Sequence, residues 1–252
     1  MRKRGKELLI LALLLLPALV TVLPLFLLLT GSLMDVQEIR ERLMPVFTGE
    51  GSFSFTAIPD YPTFLNYEKL LLETPQFFAL FWNSMRMTGA VLAGQLLVAV
   101  PAAFGFAVYK GKGSRLLFSL YTVLMLIPFQ VTMLSSYLVL TRLHLMNTQW
   151  AVILPAVFSA FPVFLCYGGF SAIPQAMLEA ARIDGAGEAG LFLWIGLPLG
   201  RGGICSALIL GFLECFNLIE QPMAFLDDKS LWPLSLYLPQ ISLNQAATAF
   251  CG

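Results

Sequence analysis

Residues 179–198 read EAARIDGAGEAGLFLWIGLP, and the sequence on both sides is apolar. Upstream, Leu145 to Leu178 carries no Asp, Glu, Lys or Arg; downstream, a second apolar stretch runs from about Gly202 to Ile219, interrupted by Glu214. A short amphipathic segment between two such stretches is not needed to cross a bilayer, so it must face water or a partner. Pro174 to Ala181 is expected to be helical, and Gly185 is placed to end that helix in a left-handed conformation. Ala180 and Ala181 are small enough to let another surface approach. Glu179, Arg182, Asp184 and Glu188 give the segment a polar face.

Outward from this segment the chain reads as a membrane protein. Hydrophobic residues make up 58% of its 252 positions and charged residues 12%, against roughly 25% charged in soluble domains. Three more charge-free gaps, Leu8–Met34, Met87–Tyr109 and Leu116–Thr141, precede the gap at Leu145–Leu178. Each exceeds the ~20 residues a helix needs to cross the hydrocarbon core. The expected fold is an all-α polytopic membrane helix bundle, a single domain over 1–252. Its helices are expected at about 7–32, 77–109, 115–141, 149–172 and 202–220, with 174–198 outside the membrane. Pro101, Pro128, Pro155 and Pro162 fall inside the expected helices, where proline removes a backbone hydrogen bond and bends the chain. Pro45, Gly49, Gly51, Pro59, Pro62 and Pro75 break up the outer segment 34–76, within which Pro62 to Leu72 suits a short surface helix.

The N-terminal MRKRGK and the apolar run after it resemble a signal peptide, but the run is longer than a ~7–15 residue h-region and no A-x-A pattern follows. It reads as a retained first helix. With the N-terminus in the cytoplasm, Arg2, Lys3, Arg4, Lys6, Lys110, Lys112, Arg115, Arg182 and Arg201 fall on the cytoplasmic side, and the outer basic residues are diluted among acids. The excess of Lys and Arg in short inner loops favours this orientation. It puts 179–198 in the cytoplasm of a multi-pass plasma (inner) membrane protein. A net charge of zero gives no case for nucleic-acid binding.

Polar side chains inside apolar helices are the candidate pathway groups, because burying them in lipid is costly. Glu214, Asn217 and Gln221 stand at i, i+3 and i+7 and are expected to share one helix face. Asn83 and Gln95 do the same service on the second helix; Gln130, Thr132, Ser135 and Ser136 are weaker signals because hydroxyls also serve helix packing. No catalytic constellation and no metal site is expected. His144 is the sole histidine, in an outer loop, and Cys166, Cys205 and Cys215 read as packing residues. The run Gly185-Ala186-Gly187-Glu188-Ala189-Gly190 satisfies G-x-G-x-x-G, but no strand or βαβ unit surrounds it. No G-x-x-x-x-G-K-[ST] occurs anywhere, so any ATPase must be a separate chain.

The pattern Glu179-Ala180-Ala181, three residues, Gly185, nine residues, Ile195, one residue, Leu197-Pro198 resembles the coupling loop of binding-protein-dependent ABC importer permeases. FWNSM at 81–85, LHLMNTQWAVILP at 143–155, GGFSAIPQAMLEAARIDGA at 168–186 and FNLIEQPMAFL at 216–226 are similar to the carbohydrate-uptake permeases, the group of the maltose permease G subunit. The resemblance implies the type I ABC importer permease fold and ATPase coupling through Glu179, Ala180, Ala181, Asp184, Gly185, Ile195, Leu197 and Pro198. It implies a second related permease, two ATP-binding subunits carrying the ATP and Mg, and an extracytoplasmic solute-binding protein that delivers a sugar or oligosaccharide. This chain itself is expected to bind no cofactor and to hydrolyse nothing. Members have six helices; five are expected here, with 241–252 resembling only the start of the sixth. Other readings are a permease for a polyamine or phosphorylated polyol, a truncated permease without function, and a membrane enzyme using Glu214 and His144.

Overall fold

Helix is the only regular structure among the described residues, which are 2–35, 37–39, 41 and 59–239 of the computed structural model. In lipid no water is at hand to satisfy backbone N–H and C=O groups, and a helix satisfies them within its own segment. Leu13–Ser32, Pro75–Val108, Gln149–Ser171 and Glu188–Phe216 are long and apolar enough to cross a membrane. A fifth span results if the bent pair Lys112–Met125 and Phe129–Arg142 is counted as one. Pro45, Gly49, Gly51, Cys251 and the expected sixth-helix start at 241–252 lie outside the described residues. The chain divides into two units, Met1–Phe77 and Phe78–Gly252.

In the first unit, α1 (Arg2–Ser32) presents exposed leucines on every side, as a helix surrounded by lipid does. The chain then folds back on the end of α1. The Thr63 N–H donates to the Leu33 carbonyl at 2.8 Å, and the Asn66 amide donates to the Met34 carbonyl at 2.9 Å. The expected surface helix is a short α2 (Leu65–Glu68) that runs into a π turn, Lys69–Glu73.

The second unit is built around α3 (Pro75–Val108). Its buried positions include Leu80, Ser84, Met87, Val91, Gln95, Ala99, Ala103 and Ala107, spaced three or four apart, so one stripe faces the other helices. The stretch expected as one helix over 115–141 is two: α4 (Lys112–Met125) and α5 (Phe129–Arg142), bent by 101°. Pro128 is the reason. It excludes the helical conformation from Ile127 before it and donates no hydrogen bond itself. The stretch expected at 149–172 likewise divides at Phe158–Ser159, between Pro155 and Pro162, into α6 (Gln149–Val157) and α7 (Ala160–Ser171).

After α8 (Gln175–Ile183) the chain turns into a short α9 (Glu188–Gly190), a π turn (Leu191–Gly196) and α10 (Leu197–Phe216). The last long helical stretch therefore starts at Glu188, not near 202. The π turn ends just before Pro198, whose ring would otherwise meet the carbonyl of Trp194. α11 (Glu220–Phe225) follows, then a 3-10 turn at Lys229–Leu231 and further helix from 234.

The largest core joins Ala103, Phe104 and Ala107 of α3 to Val163, Cys166 and Phe170 of α7, Leu178 of α8, Leu191 and Ala207. Here α7 and α10 cross backbone to backbone. A Cβ on Gly169 would lie 2.9 Å from the Gly203 Cα, and one on Gly203 2.9 Å from the Gly169 Cα. Small residues at such crossings let helices meet where lipid supplies no hydrophobic drive.

Candidate functional site

α8 is held to the bundle by one side and leaves the other free. Leu178 is 2% exposed, and Ala181, one turn on, packs against the same core. The helix ends in a complete Schellman motif: the Gly185 N–H donates to the Arg182 carbonyl at 3.1 Å and the Ala186 N–H to the Ala181 carbonyl at 2.9 Å. This needs Gly185 at φ 88°, where a side chain is strained. Glu179, Ala180 and Asp184 are exposed, and neither carboxylate makes a hydrogen bond or ion pair among the described residues. Ile195 and Leu197 instead pack into the core from the π turn and the start of α10; Pro198 is exposed. The motif thus splits into an outward set and an anchoring set, the latter inside a helix rather than in a loop.

Three residues that the motif does not include tie this end together. The Tyr109 hydroxyl donates to Glu188 Oε2 at 2.6 Å. Arg182 Nε donates to Glu188 Oε1 at 3.1 Å and its Nη2 to Oε2 at 3.3 Å. The bond to Glu188 pushes the Tyr109 phenol above its ordinary range, with desolvation adding to it. The opposite charges of Arg182 and Glu188, flanking Gly185 and Gly187, are the sequence signal for this pair; nothing in the sequence marks Tyr109.

The other end of α3 is tied to the segment that follows α11. Asn83 Nδ2 donates to the carbonyls of Ser230 (2.6 Å) and Trp232 (3.2 Å), and its Oδ1 accepts from Gln149 at 3.2 Å. The Leu234 N–H donates to Ser84 Oγ at 2.8 Å. Asn147, at φ 56°, accepts from the N–H groups of Asp227 (3.1 Å) and Asp228 (2.9 Å). Asp228 in turn accepts from the Ser230 N–H at 2.9 Å, which holds its carboxyl below the ordinary range. His144 lies in the exposed turn after α5 and does not line the cavity described next.

Between the two ends is a cavity of about 800 Å³. From Asn83 to Tyr109 is about 39 Å along α3 at 1.5 Å per residue, and Gln95 stands near the middle. Gln95, Thr132, Ser136, Ser159, Glu214 and Gln221 supply polar groups to the lining, among apolar and aromatic residues such as Tyr121 and Phe161. Both helix breaks open here: Ile127 and Phe129 from one, Pro155 to Phe161 from the other. Interrupted helices at mid-membrane bring backbone polar groups to a cavity.

Of the five candidate pathway residues, Gln95, Glu214 and Gln221 meet at this cavity. Gln95 also donates to the Ala156 carbonyl at 3.0 Å, beside the α6–α7 break. Glu214 makes no hydrogen bond among the described residues, and Gln221 Oε1 is buried without a donor. Asn83 is committed to the carbonyls of Ser230 and Trp232. Asn217 caps α10 by donating to the Leu213 carbonyl at 2.8 Å, because the helix ends at Phe216. Sequence reasoning missed Tyr121 and Ser159, whose roles depend on where the helices break. Among the described residues no cluster of His, Cys, Asp or Glu is arranged to hold a metal.

A helical bundle with an interrupted-helix cavity at mid-depth and an amphipathic helix presented at one end has the type I ABC importer permease fold. It superposes on a bacterial ABC transporter involved in the import of the acidic polysaccharide alginate with a TM-score of 0.79 at 20% identity, covering 95% of this chain and 81% of that one. The chain belongs to the family described as binding-protein-dependent transport system inner membrane component, which matches residues 95–221. Protein LplC of Bacillus subtilis is 30% identical over 233 residues, 92% of this chain and 74% of LplC. The arabinooligosaccharides transport system permease protein AraQ of Halalkalibacterium halodurans is 31% identical over 180 residues, 71% of this chain and 64% of AraQ. The family is one of transport components in the inner membrane rather than of enzymes.

Proposed function

We propose that this chain forms half of the membrane pathway of an ATP-driven importer for a sugar or oligosaccharide. In this reading a second related permease completes the pathway, and an extracytoplasmic binding protein delivers the solute to the end tied by Asn83. α8 docks on one of two separate ATP-binding subunits, which hold the ATP and Mg. The observation that carries the reading is the presentation of α8: it is anchored through Leu178 and Ala181 and capped at Gly185, with Glu179, Ala180 and Asp184 exposed. Lys110, Lys112 and Arg115 follow Tyr109 at the same end, which favours the cytoplasm for it and, by alternation along the sequence, for the N-terminus.

The sugar assignment draws on the transport of arabinooligosaccharides named for AraQ. It also draws on a cavity with hydroxyl, amide and carboxylate groups but no Lys or Arg in its lining. Uncharged hydroxyl-rich solutes need many moderate hydrogen bonds of this kind.

The test is co-purification of the chain with its ATPase and second permease, comparing wild type with Glu179→Lys and Gly185→Asp. Capture by wild type and release by both variants is the expected result. Equal capture by all three would remove α8 from the ATPase contact. For the solute, binding-protein-dependent uptake of a labelled neutral trisaccharide into vesicles is expected. Uptake of a phosphorylated polyol in its place would overturn the sugar assignment.

A further inference from the structure

α8 and the start of α9 are joined by Asp184 to Gly187, a four-residue turn containing two glycines. By itself such a turn is a poor conductor of force, since a push on α8 can be absorbed by rotation about Gly185 and Gly187. The structure spans this weak point with a single carboxylate. Glu188, the first residue of α9, accepts from Arg182 on the last turn of α8 and from Tyr109 at the end of α3. Three elements that diverge into different parts of the bundle are thereby bonded to one side chain.

The triad is not placed to stabilise the fold. The Glu188 side chain is 53% exposed and that of Arg182 32%, and exposed ion pairs add little to stability. The residues are also not the docking surface: Glu179 and Asp184 are exposed and make no hydrogen bond among the described residues, whereas Arg182 is turned back to Glu188 even though Glu179 lies one turn away. What the triad does supply is fixed geometry, from two Arg N–H bonds to the two oxygens of one carboxylate and a phenol donor from a third direction.

We propose that Tyr109, Arg182 and Glu188 form a coupling latch: positioning residues that make α8, the start of α9 and the end of α3 move as one body. Displacement of α8 then reaches the cavity instead of being lost in the 184–187 turn. This rests on the reading of α8 as the ATPase-docking helix.

Cys215, which lines the cavity, provides the readout. In the assembled complex, with Cys166, Cys205 and Cys251 replaced by alanine, the rate of Cys215 labelling by a water-soluble maleimide is measured with and without a non-hydrolysable ATP analogue. Wild type is expected to show a change of about tenfold, within the usual range for coupling between sites. Glu188→Ala and Tyr109→Phe are expected to retain the ATPase and its hydrolysis but to lose most of that response. Tyr109→Phe removes one exposed hydrogen bond and leaves the packing intact, so misfolding does not explain its loss.

Variants that respond as wild type does, with the ATPase bound, would overturn the latch and leave the docking reading standing. A wild-type complex that captures no ATPase would overturn the docking reading and the latch together. A wild-type complex that captures the ATPase but gives no nucleotide response at Cys215 would overturn the latch alone.

Discussion

At the α8 end, Glu188 accepts three hydrogen bonds, and the carbonyls of Ala181 and Arg182 are closed by the turn at Gly185. In the cavity near Gln95, Glu214 makes no hydrogen bond among the described residues and Gln221 Oε1 has no donor. Both regions carry a glutamate on the same long helical stretch, yet Glu188 is bonded within the protein whereas Glu214 is left open. A buried polar group without a partner, such as Gln221 Oε1, costs about 1–3 kcal/mol unless water completes it, whereas Glu214 is exposed at the cavity. Committed groups hold a shape; open groups exchange partners.

Leu178→Ala should break the contrast most severely. Removing a side chain 2% exposed costs about 2–5 kcal/mol, here concentrated on the docking of α8. Hydrogen exchange over 175–183 is expected to accelerate sharply while α3 stays protected. Unchanged protection would show that the turn and the latch hold α8 without its anchor.

Gly185→Ala should come next. No atom lies within 4 Å of the added Cβ, but φ is 88°, so the loss is conformational and should be about 1–2 kcal/mol. The same exchange measurement reads it, with Gly187→Ala as the companion expected to be mild, since Gly187 has φ −70°.

Glu214→Gln sharpens the comparison from the other side. With no hydrogen bond to lose, the thermal stability of the purified complex should stay within about 0.5 kcal/mol of wild type, while uptake changes in rate or solute preference. A large loss of stability would make Glu214 a structural residue.

The smallest effect concerns Asp228. Its carboxyl is held below the ordinary range by the Ser230 N–H, so its contribution to the 227–232 segment is present above the usual carboxylate range and disappears as pH falls through the lowered value. Thermal melts of wild type taken from about pH 6 to about pH 3 should lose slightly more stability than those of Asp228→Asn.

The α8 end was legible in the sequence because its geometry is local. Gly185 stands in the left-handed turn its position suggested, and the exposed acids are those that gave the segment its polar face. Ile195, Leu197 and Pro198 were harder to place because Glu188 and Arg201 interrupt the apolar run and make 188–201 look like loop. In the structure Glu188 is turned to Arg182 and Tyr109, which lets the helix begin ahead of its apolar part. The cavity was only half legible. Gln95, Glu214 and Gln221 could be picked out as costly in lipid, but the breaks at Pro128 and Phe158 that bring them to one space could not be told from the mild bends proline also makes. Asn83 carries the same polar signal as Gln95. Its partners lie at Ser230 and Trp232, 147 and 149 positions away, and spacing along one helix cannot reveal such a distant pairing.

The meeting of Gly169 and Gly203 has a mechanical consequence. Two backbones in contact leave no side chain between them to compress, so the crossing behaves as a fulcrum. Along α9 and α10 the arm from Glu188 to Gly203 is roughly 22 Å and the arm from Gly203 to Glu214 roughly 16 Å. A rigid rod turning there would carry a displacement at Glu188 to Glu214 reversed in direction and about seven-tenths as large. The leverage of this helix is thus set by where along the chain two glycines meet.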